Sequence, residues 1–255
     1  MHNIHMAEFT EEFAHCWNAA GSHIQRMAGG ELMSWLKATL APPFLEHLSF
    51  RLGNQLFFIQ IEDDDGVLEV PGSSDGLMAI AKGCNGYPCL MPMKKLGGKW
   101  QPVASGWGLI DAETGRSIDP ISFVSDEKIE MTDWELQDFA VQVVRDDLKS
   151  SGRELMSWNG NPEVLPSIWF VGDQGPEWVI VQAYRFPDED GGLPENIEEI
   201  KAQLSKASAK GNFAAVGVAD MTEMFSMDNI DSDEMPAIYR GHGLNVTYEG
   251  LRSIT

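Results

Sequence analysis

Long apolar runs are missing from this sequence. Its apolar stretches, such as residues 56–61, are strand-length, far below the ~20 residues that a membrane-spanning helix needs. No membrane span is expected. The opening Met1-His2-Asn3-Ile4-His5-Met6 has no basic region followed by an apolar run, so no secretory signal is expected either, and the cytoplasm is the expected location. Cysteine is scarce. Cys16, Cys84 and Cys89 make an odd count, Cys84 and Cys89 stand five apart, and no histidine pair follows at ligand spacing, which is not a zinc pattern. The thiols read as structural or incidental, with a redox pair or half of a metal site as the alternative. Positive charge is scarce as well: 18 Lys and Arg against 39 Asp and Glu give a formal charge of −21. Such a surface repels phosphate backbones and anionic membranes, so direct nucleic-acid binding is not expected. What is present is core material: 43% hydrophobic residues with eight Trp and twelve Phe, the composition of a globular protein.

The chain repeats itself. Glu31-Leu32-Met33-Ser34-Trp35 recurs letter for letter as Glu154-Leu155-Met156-Ser157-Trp158, and self-similarity of this kind signals a duplicated architecture. Other landmarks follow in the same order. Phe13-Ala14 answers Phe139-Ala140, Gly53-Asn54-Gln55 answers Gly172-Asp173-Gln174, and Phe57-Phe58-Ile59-Gln60 answers Val179-Ile180-Val181-Gln182. The acidic turn Glu62-Asp63-Asp64-Asp65-Gly66 answers Asp188-Glu189-Asp190-Gly191, and Gly106-Trp107-Gly108-Leu109 answers Gly241-His242-Gly243-Leu244. Two related units, 1–126 and 127–255, are expected.

Hydrophobic periodicity assigns elements to each unit. In the second, Thr132 and Glu135 form a capping box ahead of the helical stripe Leu136, Phe139, Ala140, Val143 and Leu148. Short β-branched and aromatic runs at 154–158, 168–171 and 178–184 read as strands. A helix opening at Pro194 and a buried strand at 213–218 follow. The first unit repeats this with a helix carrying Phe9, Phe13, Trp17, Ala20 and Ile24, strands at 48–52 and 56–61, a short helix at 77–82 and a strand at 87–91. Residues 100–126 would correspond to 235–255. The fold class is therefore α/β (α+β), internally duplicated, each unit running helix-strand-strand-strand-helix-strand.

That order, with Pro166-Ser167 where a Pro-Asp would stand and Gln182-Ala183-Tyr184 where a Glu-x-Lys would stand, resembles the core of the PD-(D/E)xK, or restriction-endonuclease-like, superfamily. The resemblance implies a metal-dependent nuclease fold. Such chemistry needs carboxylates around a divalent cation and a lysine. Ser167, Gln182 and Tyr184 supply none of these, and Gln60-Ile61-Glu62 in the first unit keeps one acid without the lysine. A degenerate site without cofactor is the implication.

The remaining candidates for binding are Trp107, His242, Gln60, Gln182 and Tyr184, with Glu62, Glu154, Asp188 and Asp190 as the acids that could reach a cation. None of the acidic clusters has calcium-loop spacing. Gly-x-Gly entering a strand is not a dinucleotide fingerprint. The expected function is non-catalytic binding of a macromolecule, the acidic surface suiting a basic protein partner. The alternatives are a metal-dependent hydrolase or nuclease with a migrated site near Glu154, Glu177 and Asp188, and a structural subunit of an assembly.

Overall fold

In a computed structural model of the chain, the structure describes residues 10–29, 33–38, 40, 47–186, 192–224 and 237–254. The chain divides into two compact units, Met1–Lys128 and Ile129–Thr255. Both follow the order helix, three strands, helix, strand.

In the first unit, α1 (Glu11–Ala28) starts where the Thr10 side chain accepts the Phe13 N–H at 3.1 Å and ends at Gly29, whose φ of 67° reverses the chain. β1 (Met33–Lys37), β2 (Leu48–Leu52) and β3 (Gln55–Asp63) form an antiparallel meander, and α2 (Ser74–Gly83) crosses over to β4 (Tyr87–Leu96), parallel to β3. β5 (Lys99–Pro102) and β6 (Leu109–Asp111) both pair with β4, and β7 (Ser117–Ile118) closes the sheet. The core gathers Phe13, Trp17, Ala20 and Ile24 of α1 over Phe50, Phe57, Ile59, Ile61, Met91 and Met93.

The second unit repeats the plan. α3 (Asp133–Ser150) opens with the anticipated capping box of Thr132 and Glu135. β8 (Glu154–Trp158), β9 (Ile168–Gly172) and β10 (Gly175–Arg185) form the meander, and α4 (Ile197–Leu204) leads to β11 (Gly211–Asp220), parallel to β10. After α5 (Met221–Met224), β12 (Leu244–Tyr248) and β13 (Arg252–Ser253) pair with β11. One face of this sheet packs on α3 through Phe170, Val179, Val181, Val216 and Val218; the other packs Trp178, Ile180 and Phe213 on Ile200 of α4. α4 begins at Ile197, three residues past Pro194, whose carbonyl accepts the Ile197 N–H.

The units share a register that differs from the one their letters suggest. Each meander hairpin has a two-residue turn, with Leu52 opposite Gln55 and Gly172 opposite Gly175, so equivalent positions lie 120 residues apart. The bulge on the first strand agrees: it falls between Trp35 and Lys37 in β1 and between Leu155 and Ser157 in β8. Trp35 faces Phe50, and its structural counterpart facing Phe170 is Leu155, whereas Trp158 faces Ile168. The identical pentapeptides thus lie on equivalent strands, three residues out of step; Glu31 and Leu32 fall outside the described residues. The hairpin and β3–β10 matches slip by one and two residues. A slip of two leaves every side chain on its original face, which is why the pattern still reads correctly.

Burial corrects the helices too. Moving the buried set Phe13, Cys16, Trp17, Ala20 and Ile24 along by 124 gives Gln137, Ala140, Val141, Val144 and Leu148, all buried. Phe13 therefore corresponds to Gln137, not Phe139. Gln137 has a specific task. β9 pairs with β10 only as far as Val179, so the backbone beyond would be left unpaired. The Gln137 amide donates to the Val181 carbonyl at 2.8 Å and accepts the Ala183 N–H at 3.0 Å, while Ser167 Oγ accepts the Val181 N–H at 3.1 Å. Side chains stand in for a missing strand.

The last correspondence also changes. β5 pairs with residues 93–96 of β4, and β12 with residues 216–220 of β11; β6 pairs at Cys89 and Leu90, and β13 at Asn212 and Phe213. β12 is thus the counterpart of β5, and β13 of β6. Gly106-Trp107-Gly108 leads into β6 and Gly241-His242-Gly243 into β12, so the two motifs are not equivalent. Where the first unit turns from β4 to β5 through Gly97 and Gly98, both at positive φ, the second carries residues 221–243.

Candidate functional site

Asp220 ends β11, and both ends of the intervening segment are tied to it. Its buried carboxylate accepts the Thr222 N–H at 2.9 Å, the Tyr239 N–H at 3.1 Å and His242 Nδ1 at 2.7 Å. A carboxylate only accepts, so Nδ1 carries the hydrogen and Nε2 is the nitrogen left to act. The His242 side chain is 23% exposed and that of Asp220 is 0% exposed. The Tyr239 ring flanks the imidazole at 5.5 Å, and Met221 N–H donates to the Gly243 carbonyl at 2.9 Å, closing the base of the segment.

Behind this pair lies a second one. Arg240 grips Glu135 in a fork, Nε to Oε1 and Nη2 to Oε2, both at 2.9 Å, with side-chain exposures of 1% and 9%. Glu135 also accepts the Thr132 N–H at 3.0 Å, so the residue that caps α3 also anchors the strand-like segment at 238–240. That segment pairs with residues 129–131 through Met131 N–H to the Ile238 carbonyl and Arg240 N–H to the Ile129 carbonyl. Arg185, at the end of β10, donates to Glu130 at 2.9 Å and to the Met131 carbonyl at 3.0 Å, with Asp133 at 3.4 Å.

The structure brings few of the sequence candidates together. Trp107 is 4% exposed and stacks on Phe50 at 6.1 Å in the first core, so it packs rather than presents itself. Gln60 lies on β3 with Oε1 buried and without a hydrogen-bond partner. Glu62 stands two residues farther along the same strand. Gln182 is exposed, donating to the Ala183 carbonyl at 3.3 Å. Tyr184 lies across Gly217 of β11, where an added Cβ would come within 2.7 Å of the ring. Glu154 is exposed opposite Val171, and Glu177 stands opposite Phe170, which puts these two carboxylates on opposite faces of the sheet. They cannot share a cation. Asp188 and Asp190 lie outside the described residues. Ser167, at the degenerate nuclease position, is buried and spent on backbone. Among the described residues, no group of three or more His, Cys, Asp and Glu side chains is placed to hold a metal ion.

Sequence reasoning missed Asp220, Arg240, Arg185 and the second role of Glu135. One signal was available: an aspartate closing a buried strand that is otherwise apolar from Phe213 to Val218. A charge so placed must find partners. His242 had been set equal to Trp107; with that equivalence gone, it belongs to a segment that the first unit lacks.

No helix among the described residues is long and apolar enough to cross a membrane. The chain shows no significant similarity to any curated protein or solved structure. Residues 134–254, nearly the whole of the second unit, are similar to the domain of unknown function DUF8840.

Proposed function

We propose that this protein is a non-catalytic binding protein whose acidic surface receives a basic segment of a protein partner. The observation that carries the reading is how the few cations are used. Lys94, Lys95, Arg145, Arg153, Arg185, Lys201, Lys210 and Arg240 each lie in an ion pair with an Asp or Glu of this chain. Nearly half of the 18 basic residues are thereby neutralised, whereas the acids number 39, and many of those among the described residues are exposed. Exposed Glu69, Asp75, Glu113, Glu163, Glu195 and Glu199 are examples on both units. Such a field speeds encounter with a basic partner and excludes acidic ones.

The Asp220–His242 pair could orient a general base, yet among the described residues no serine, threonine or cysteine hydrogen-bonds to His242. Among the described residues a hydrolytic reading finds no nucleophile hydrogen-bonded to that base, and the two acids that would seat a cation at β8 and β10 face apart. The pair reads instead as a clamp that ties Thr222, Tyr239 and His242 to the end of β11. The test is capture of partners on the immobilised full chain at low salt, followed by a salt gradient. A stoichiometric complex with a basic protein that dissociates as salt rises is expected. Recovery of the chain alone, or of a partner indifferent to salt, overturns the proposal, as does metal-dependent cleavage of labelled nucleic acid by the purified chain.

A further inference from the structure

The two units differ most informatively at one place, between the first helix and the hairpin that follows the parallel strand. In the first unit a cleft of about 320 Å³ opens there, lined by Glu12, His15 and Ala19 of α1 and by Lys95, Gly98, Lys99 and Trp100 of the β4–β5 hairpin. Lys95 and Trp100 are cross-strand partners. Glu12 Oε1 accepts from both, Lys95 Nζ at 2.8 Å and Trp100 Nε1 at 2.5 Å, so one carboxylate fixes the far wall. Those two hydrogen bonds hold the Glu12 carboxyl below its usual range, keeping it ionised.

In the second unit the same positions are closed. By the helix register, Leu136, Phe139 and Val143 stand for Glu12, His15 and Ala19; by the sheet register, Val218 and Val246 stand for Lys95 and Trp100. All five belong to one hydrophobic core. An architecture that fills this place with hydrocarbon in one copy has, in the other, a polar-lined cleft with an indole in its wall.

We propose that this cleft binds a small planar monoanion of the aromatic-carboxylate class. Two lysines against one carboxylate leave one net positive charge, a local reversal in a chain of formal charge −21, and that balance suits a single negative charge. The volume lies at the low end for ligand pockets and takes a single ring with a short substituent. The half-buried Trp100 offers an aromatic surface for that ring. This site is independent of the acidic surface that would receive a basic partner.

The test is equilibrium binding of 4-hydroxybenzoate to the full chain, with benzamidine as cationic and benzyl alcohol as neutral probes, read by calorimetry and by amide shift changes. Expected are binding of the benzoate alone, shift changes centred on Ala19, Gly98 and Lys99, and at least a tenfold loss of affinity in His15→Phe, which installs the second unit's residue and fills the cleft. Lys99→Glu should lose affinity similarly. The thermal midpoints of both variants are measured alongside, and should stay at the wild-type value. Absence of benzoate binding, equal binding of the three probes, or unchanged affinity in His15→Phe with its fold intact overturns the assignment.

Discussion

His47 makes the stability of the first unit sensitive to pH in a window that its carboxylates do not share. It immediately precedes β2 and lies across from Gln60, given that Leu48 faces Ile59. Its ring packs on the start of α2, where a Cβ on Gly76 would lie 3.7 Å from Cε1, and its Nε2 is buried without a hydrogen-bond partner. Burial, and secondarily the charge of Lys37, push its pKa down from 6.5 to about 4. The sign follows from proton counting. Between these values the unfolded chain binds a proton that the native chain refuses, so the stabilisation is fully present above pH 6.5 and drains away as pH falls toward 4. At ~1.4 kcal/mol per unit of pKa difference, about 2 kcal/mol is lost between pH 7 and pH 5. Asp63 and Asp111 add their own acid sensitivity at lower pH. Burial opposes their ionisation, but backbone N–H groups, and for Asp111 the Thr114 hydroxyl, outweigh it and hold both carboxyls below their usual range. Comparing wild type with His47→Gln cancels those terms. Urea unfolding at pH 7 and pH 5 should show the wild type losing ~2 kcal/mol more than the variant, and an NMR titration of the ring should find it neutral at pH 5. A ring titrating near 6.5, or parallel acid losses in both proteins, would refute the reasoning.

Arg240→Leu strands Glu135 as a buried lone charge, and a loss of ~3–5 kcal/mol is expected in chemical denaturation; Glu135→Leu in the same chain should recover part of it. Gln137→Leu leaves the Val181 carbonyl and the Ala183 N–H without partners, costing about 1–3 kcal/mol, and hydrogen exchange at Ala183 should accelerate while that at Val179 stays slow. Burial pushes the Cys16 thiol up to about 12 and that of Cys89 higher still. Cys16 and Cys89 of the native chain at pH 8 should therefore resist a thiol-disulfide reagent until denatured, and rapid native labelling of either would contradict their placement in the core.

The sequence carried the layers of this fold more faithfully than its alignments. Short runs of β-branched and aromatic residues placed β2, β3, β9 and β10, and because the strand period is two, the two-residue slip between β3 and β10 left their pattern legible. The α3 stripe lies on the core face, with Phe139 and Val143 at its margin, but it omits Gln137, a polar residue that takes a buried position periodicity assigns to hydrocarbon. The pentapeptide misled by three residues because composition of an edge strand is loosely constrained, whereas the bulge and hairpin turn fix the backbone. The candidate site was less legible. Asp220, Arg240 and Glu135 converge only through pairing of segments over a hundred residues apart in sequence, and no local spacing reports such a meeting.

The turn of Gly97 and Gly98 occupies the position at which the other copy accommodates 23 residues, 221–243, without altering the strands on either side. Chain length at that corner is therefore a free variable of the architecture. A protein engineer who splices a peptide between those glycines should recover a folded product, and the natural molecule already demonstrates the experiment in its own second half.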